Sequence, residues 1–179
     1  GGKNDRRFRI EHAQIVSLRD IPRFAANSII ASIQATHATS DMRWAEQRVG
    51  PERILGAYAW RRFLDAGVRI ANGSDFPVES ADPLLGFHAS VTRQDHAGSP
   101  QGGWMPSQTL TREQALLSWT LWGAYAAFEE RDKGSLEPGK LADFILLSRD
   151  IMKVPPAEIL QTRVRMTVLG GKVVHEQRQ

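Results

Sequence analysis

The sequence contains no cysteine among its 179 residues. This absence excludes disulfide bonds, thiolate zinc sites and cysteine nucleophiles. Any metal ion must therefore be held by histidine, aspartate, glutamate or a modified lysine. A chain without cysteine also suits the reducing cytosol, and we expect a cytoplasmic protein.

Several features typical of other protein classes are also missing. The net charge is only +3 and the basic residues are scattered, so no nucleic-acid partner is expected. The longest near-apolar stretch, residues 115–128, is interrupted by Ser118 and Thr120 and is shorter than the ~20 residues of a bilayer helix, so no membrane partner is expected. No glycine-rich loop opens a helix after a strand, and no serine lies in a nucleophile-elbow pattern. Dinucleotide enzymes and serine hydrolases are therefore disfavoured.

The first 75 residues alternate short apolar runs with helical patterns. The apolar runs predict strands, and capping residues, proline and glycine mark the helices between them. This order is typical of βαβ units with a parallel sheet and right-handed crossovers, and it predicts an α/β fold. The predicted strands cover residues 8–12, 29–34, 57–60 and 68–72.

Polar side chains lie at or just after the ends of three of these strands. They are His12, His37 and Asp75, and parallel α/β folds place their active sites at the carboxyl ends of their strands. Two imidazoles and one carboxylate suit a catalytic zinc ion, which takes three protein ligands and leaves one position for water. Each residue also has a structural interpretation: His12 as a hydrogen-bonded core histidine, His37 as part of a polar loop, and Asp75 as a turn or capping residue. The pattern alone leaves both interpretations open.

The middle of the chain contains few candidate functional residues. Asp82 caps a predicted helix, and the Gly-, Ser- and Pro-rich residues 96–108 form a candidate lid loop. A capping-box pattern at Thr111 begins a further helix, which is expected to bury Trp119 and Trp122. The remaining histidines are interpreted as solvated residues without a role: His88, His96 and His175.

The last part of the chain changes character. From Gly134 onward the predicted strands are no longer separated by long helices, and Gly170-Gly171 predicts the turn of a hairpin. We therefore place a boundary between a barrel-like unit, residues 1–133, and a small β region, residues 134–179. The elements predicted in the β region are a strand over 141–148, a helix over 155–161 and hairpin strands over 164–169 and 172–176.

Four strings of residues point to a family: RIEHAQ at 9–14, SIQATH at 32–37, GSDFPV at 73–78 and GSLEPGKLAD at 134–143. Together they resemble the C-terminal part of the metal-dependent amidohydrolase superfamily, in particular its YtcJ-like branch, which includes the N-substituted formamide deformylases. The first three resemble the fifth, sixth and eighth strands of its barrel, and the last resembles the return from barrel to β-sandwich. The resemblance covers nearly the whole chain. One departure is Ala35, which stands where this branch usually has proline.

The resemblance implies the C-terminal half of a (β/α)8 TIM-type barrel in residues 1–133, followed by part of a small β-sandwich in residues 134–179. It also implies one or two divalent metal ions, expected to be zinc, at the mouth of the barrel. The implied metal ligands are His12, His37 and Asp75. Asp75 would also take the proton of the attacking water. Residues that resemble those near the barrel mouth, and are candidates for substrate binding, are Trp60, Arg61 and Phe76.

The implied activity is metal-dependent hydrolysis of amide or related C–N bonds other than peptide bonds, on a small-molecule amide substrate. The first four barrel strands and the metal ligands they would carry have no counterpart in the chain. We therefore expect a C-terminal fragment with an incomplete metal site, inactive alone, whose partner is the missing N-terminal half of the barrel. The alternatives are a non-catalytic half-barrel used as a binding or assembly module, and one half of a split enzyme.

The chain begins Gly1-Gly2-Lys3 rather than with methionine. We therefore expect the natural protein to be longer, and a targeting segment cannot be judged from this sequence. Substrate identity, metal count and assembly into a homo-oligomer are left open by the sequence.

Overall fold

A parallel sheet forms the centre of the first part of the chain. The computed structural model describes residues 5–177, so the Gly1-Gly2-Lys3 start lies outside the described residues, as do residues 178–179. Within the described part, three parallel strands pair in the order β1-β2-β3, and the middle strand is mostly buried. The strands are β1 (Arg9–Glu11), β2 (Ile30–Ile33) and β3 (Ile70–Asn72).

Helices connect these strands, as expected for βαβ units. One short helix lies between β1 and β2, three helices lie between β2 and β3, and three more follow β3 before residue 134. They are α1 (Ile21–Ala26), α2 (Ala35–Asp41), α3 (Ala45–Arg53), α4 (Trp60–Asp65), α5 (Pro83–Thr92), α6 (Arg112–Trp119) and α7 (Leu121–Ala126), with 3-10 turns at Ile54–Gly56 and Pro106–Gln108. None of the helices formed by residues 5–177 is long and apolar enough to cross a membrane.

Two helix starts are set by their capping residues, as the sequence predicts. The Asp82 side chain accepts a hydrogen bond from the backbone nitrogen of Leu84 over 2.9 Å and begins α5. Thr111 and Gln114 form a reciprocal capping box at the start of α6. Each cap satisfies backbone N–H groups that have no partner within the helix.

The strand predicted over residues 57–60 is wrong. Ala57 makes a single antiparallel bridge to Ile15, and α4 already begins at Trp60. Tyr58 has φ +47, a left-handed conformation that cannot continue a strand. The alternation of small and aromatic residues at 57–60 therefore reflects burial in a turn.

The helix predicted after Thr111 is interrupted at Thr120, whose φ of −127° and ψ of −94° separate α6 from α7. Trp119 and Trp122 are consequently half-buried at the edge of the core instead of inside it. Trp119 packs over Gly86, where a Cβ would come within 2.2 Å of the indole ring. Small side chains, including Ala115 and Ser118, form the buried face.

A large cluster of apolar side chains forms the main core, and a smaller cluster contains Ile30, Ala71 and Ala126. Ile33 and Ile70 contribute from adjacent strands, and the rings of Phe24 and Phe63 pack with centroids 5.0 Å apart. Each such side chain stabilises the fold by roughly 1.5–3 kcal/mol when fully buried. The core thus holds the strands in register.

An antiparallel sheet follows residue 134. Its strands pair in the order β4-β5-β6, and the hairpin turn at Gly170-Gly171 has φ +55 and +77, as a type I′ turn requires. Ile159 of α8 packs into the main core, which connects this region to the parallel sheet. The elements are β4 (Phe144–Leu147), α8 (Pro156–Ile159), β5 (Val164–Leu169) and β6 (Lys172–Glu176), and the predicted hairpin strands are confirmed. The domain boundary at 133/134 stays a prediction.

Arg7 joins the N-terminal segment to the region after α7. Its guanidinium nitrogens lie 2.7 and 2.8 Å from the two carboxylate oxygens of Glu130. The guanidinium also stacks on the Tyr125 ring, 3.8 Å from its centroid. The hydrogen bonds from Arg7 lower the pKa of Glu130 to about 2.

Glu130→Gln should make the stability of the protein less sensitive to acid. Because the pKa of Glu130 is lowered on folding, its stabilising contribution is present above the unfolded pKa of about 4.3 and is lost as the pH falls towards about 2. Urea unfolding is measured at pH 7, 4.5 and 3. The free energy of unfolding of the wild type should exceed that of Glu130→Gln at pH 7, and the difference should shrink as the pH falls to 3. Glu113→Gln, on the exposed face of α6, is the control. A difference between wild type and Glu130→Gln that is constant with pH would contradict the prediction.

Candidate metal centre

The carboxyl end of the parallel sheet brings together the three predicted ligands. His12 directly follows β1, Asp75 follows β3 after two residues, and His37 lies in the first turn of α2. Each offers one ligand atom, and these atoms lie within 4.8 Å of one another. Parallel strands end at the same edge of a sheet, so residues far apart in the sequence meet there.

The distances within this group leave room between the ligand atoms. Oδ2 of Asp75 lies 3.7 Å from Nε2 of His37 and 3.9 Å from Nδ1 of His12, too far for direct hydrogen bonds. The two imidazole rings stack at 5.8 Å between centroids with 20° between their planes. Three ligand atoms therefore surround a common space without contacting one another.

His37 supplies the test of whether these residues fit a metal ion. Its Nε2 atom is buried and has no hydrogen-bond partner within residues 5–177. Buried nitrogen atoms of this kind normally have a partner, and a neutral imidazole nitrogen is a preferred zinc ligand. The donor set of two imidazoles and one carboxylate fits a divalent metal.

The position of His37 differs from the polar loop that the sequence predicts. Helix α2 starts immediately after β2, and the backbone nitrogen of Ala35 donates to the side-chain oxygen of Asn72 over 3.2 Å. A proline at position 35, as in the YtcJ-like branch, has no N–H for this bond. The bond ties the start of α2 to the end of β3, so His37 is carried on a fixed helical turn.

Backbone strain and one hydrogen bond orient the ligand residues. His12 has φ +66 and Asp75 has φ +58, left-handed conformations that cost free energy and occur often at functional sites. Nδ1 of His12 lies 2.9 Å from Oε1 of Gln34, the residue at the N-cap position of α2. This contact holds the His12 ring beside Asp75, whose Oδ2 lies 3.9 Å from the same Nδ1 atom. Sequence reasoning missed Gln34, although its place after β2 matches that of the ligands.

The three substrate-binding candidates differ in their surroundings. Phe76 directly follows Asp75, and 68% of its surface is exposed. Trp60 is only 2% exposed and packs beneath the guanidinium of Arg93, 4.3 Å from the ring centroid. Arg61 donates to the backbone oxygen of Thr109 and to the side chain of Gln114. The observed contacts of Trp60 and Arg61 are therefore packing and hydrogen bonds within the fold.

A polar cleft of about 440 Å³ opens beside α2. The lining includes Thr36, which is next to His37 in the chain, and Ser40, which lies one helical turn after it. It also includes Glu79, four residues after Asp75. The lining residues include Thr36, Ser40, Arg43, Glu79, Asp95 and His96.

The remaining histidines divide between surface and interior. His96 and His175 are exposed, as predicted. His88 is buried in α5, and burial lowers its pKa to about 4, so the prediction that it is solvated is wrong. Its hydrogen-bond partner is Thr92, one turn further along the same helix.

Comparison with known proteins identifies the family. Residues 1–175 match the model of the amidohydrolase family. The chain belongs to this family. This amidohydrolase match includes all three residues of the candidate metal centre and extends through most of the antiparallel sheet, so the resemblance to the superfamily is confirmed.

Two curated amidohydrolase relatives show how much of a longer protein the chain corresponds to. It is 32% identical over 174 residues to the putative amidohydrolase YtcJ of Bacillus subtilis (strain 168), covering 97% of this chain and 33% of the relative. It is 32% identical over 122 residues to the N-substituted formamide deformylase of Arthrobacter pascens, covering 68% of this chain and 22% of the relative. The chain therefore spans a third or less of the length of these relatives.

A solved structure supports the fold. The chain is similar to an uncharacterized metal-dependent hydrolase from Pyrococcus horikoshii OT3, with a TM-score of 0.72 and 32% identity. The similarity covers 83% of this chain and 30% of that chain. The predicted α/β class of this amidohydrolase is therefore confirmed.

Proposed function

We propose that the chain is part of a metal-dependent hydrolase of amide or related C–N bonds other than peptide bonds, and that His12, His37 and Asp75 hold its metal. The observation that carries the proposal is the convergence of three ligand atoms around the buried, unpartnered Nε2 of His37, in a member of the amidohydrolase family. Imidazole and carboxylate groups are both ligands of catalytic zinc ions. A zinc ion bound there would activate a water molecule and polarise the substrate carbonyl.

Asp75 is suited to move the proton in this reaction. Its side chain is 35% exposed, so water reaches it, and Oδ2 faces both imidazoles. The carboxylate would accept the proton of the attacking water and return it to the leaving amine. Gln34 would keep His12 in its orientation throughout, because the hydrogen bond to Nδ1 fixes the ring.

A small-molecule amide would lie in the polar cleft beside α2. The cleft is lined by Thr36, the neighbour of His37 in the chain, and by Glu79, and its hydroxyl, carboxylate and guanidinium groups can hydrogen-bond a polar substrate. Phe76 is the candidate for an apolar substrate contact, because it is exposed directly beside Asp75. Trp60 would act through packing, and Arg61 through its hydrogen bonds to Thr109 and Gln114.

We also propose that the parallel sheet is part of a (β/α)8 barrel and that residues 134–179 are part of a β-sandwich. The supporting observation is the edge of β1 that pairs with no other strand within residues 5–177, and the three residues of β1 are all exposed together with the apolar Phe8. Strands outside this chain would pair with β1 and supply further metal ligands. Without them the site would be incomplete and inactive.

The proposal is tested on the complete polypeptide that carries this chain, compared with residues 1–179 alone. Zinc content is measured by mass spectrometry, and hydrolysis is measured on a panel of N-substituted formamides and related amides. We expect bound zinc and hydrolysis in the complete polypeptide, and no hydrolysis by the chain alone. A folded complete polypeptide that binds no zinc and hydrolyses no amide would refute the proposal and favour a binding or assembly module.

A further inference from the structure

A partly buried polar cluster joins the two segments that carry histidine ligands. It consists of Gln14, two residues after His12, of Asp41, one helical turn after His37 at the end of α2, and of Tyr58. We propose that this Gln14–Asp41–Tyr58 cluster sets the spacing between His12 and His37, and that Tyr58 is a positioning residue for the metal centre. The inference rests on the metal-dependent function proposed above.

Three hydrogen bonds close the cluster into a triangle. Nε2 of Gln14 donates to Oδ2 of Asp41 and to the hydroxyl oxygen of Tyr58, over 2.7 Å in each case. The Tyr58 hydroxyl donates to the same Asp41 oxygen over 2.5 Å. Burial and the bond to Asp41 raise the pKa of Tyr58 above its usual value, so the hydroxyl remains a donor. Because each member contacts both others, none moves independently.

The backbone next to His12 needs this support. His12 and Ala13 have φ +66 and +38, a left-handed pair that residues other than glycine rarely adopt. The backbone oxygen of Gln14 accepts a hydrogen bond from the backbone nitrogen of Tyr58 over 2.7 Å. Gln14 is therefore held through both its main chain and its side chain. This attachment holds the left-handed turn in the orientation that directs His12 towards the other ligands.

Asp41 gives the cluster its connection to the second histidine. It ends the seven-residue helix α2, and His37 lies one turn before it on the same helix. The hydrogen bond from Gln14 to Asp41 therefore links the segment that carries His12 to the helix that carries His37. It lies two residues from His12 and one helical turn from His37. Loss of the link would let the two imidazoles move relative to each other.

Arg93 anchors Tyr58 through its backbone oxygen. Its side chain is fully buried, Nη1 donates to the backbone oxygen of Tyr58 and Nε donates to that of Trp104, each over 2.9 Å. Nη2 has no partner within the described residues. Burying a guanidinium is costly unless its hydrogen bonds are made, so these carbonyl contacts account for its place in the fold. Tyr58 is thus fixed at its hydroxyl, its backbone nitrogen and its backbone oxygen.

The test is Tyr58→Phe in the complete polypeptide, measured as zinc affinity by competition with a chromophoric chelator. Phenylalanine keeps the ring against Trp104, whose centroid lies 5.4 Å away, and removes only the hydroxyl. We expect about 10-fold weaker zinc binding, the low end of the effect of removing a group bonded directly to a metal ligand, because Tyr58 acts on His12 and His37 through Gln14 and Asp41. The matched control is Tyr125→Phe, because Tyr125 is the other tyrosine of the chain and its hydroxyl lies 3.4 Å from the exposed Asp5.

The thermal midpoint of the zinc-free protein separates positioning from general stability. A purely structural role would lower this midpoint and leave zinc affinity unchanged, and zinc affinity within twofold of wild type in Tyr58→Phe would overturn the inference. If Tyr58→Phe does not fold, Asp41→Asn replaces it, since it removes the charge of the shared acceptor, and it should weaken zinc binding in the same way. Wild-type protein that binds no zinc would instead refute the metal centre itself, and the positioning role with it.

Discussion

Replacing Asp75 by asparagine in the complete polypeptide should lower amide hydrolysis by about 10²- to 10⁴-fold, the range supplied by a positioned proton-transfer group. Asparagine has the size of aspartate but cannot accept the proton of the attacking water and return it to the leaving amine. Position 75 has φ +58, and asparagine tolerates this left-handed conformation as well as aspartate does. The fold should therefore be retained while the chemistry is lost.

The measurement for Asp75→Asn is kcat on the best amide of the panel, with zinc content determined on the same samples. Asp65→Asn is the matched control, because Asp65 is exposed at the end of α4 and should leave kcat unchanged. If Asp75→Asn retains kcat within tenfold at full zinc occupancy, the proton-transfer role is wrong. If zinc is lost as well, kcat is compared at saturating zinc.

His12→Ala should lower bound zinc and hydrolysis together. It removes a proposed ligand, so the loss of zinc affinity should exceed the about 10- to 100-fold effect expected for outer partners. The His12 side chain is 46% exposed, so its removal leaves no enclosed cavity and the protein should still fold. Zinc affinity, zinc content and kcat/KM are measured on the same preparation.

The control for His12→Ala is His175→Ala, in the exposed strand β6, which should change neither zinc affinity nor hydrolysis. Unchanged zinc affinity and hydrolysis in His12→Ala would remove this residue from the proposed site. The loss of zinc affinity in His12→Ala is then compared with the loss in Tyr58→Phe. Removal of the ligand should reduce zinc affinity more than removal of the positioning hydroxyl.

Local signals in the sequence predicted most elements of the fold. Alternation of apolar and polar residues marked β1, and apolar runs marked β2 and β3. Capping residues marked the starts of α5 and α6, and Gly170-Gly171 marked the terminal hairpin. Such signals act between neighbouring residues, so they can be recognised without knowing the fold. Two predictions failed. The buried residues around Tyr58 have the residue pattern of a strand but form a turn, and the backbone angles of Thr120 interrupt a helix that was predicted to be continuous.

The sequence by itself determined the α/β class, the family and the three candidate ligands, because strand ends and family motifs are both local features. Only the tertiary structure decided that His12, His37 and Asp75 meet within 4.8 Å. It also decided that Gln34 holds His12 and that Trp60 is buried. These facts depend on contacts between residues distant in the chain, and such contacts are set by how the parallel strands align and how the core packs. No local pattern carries that information.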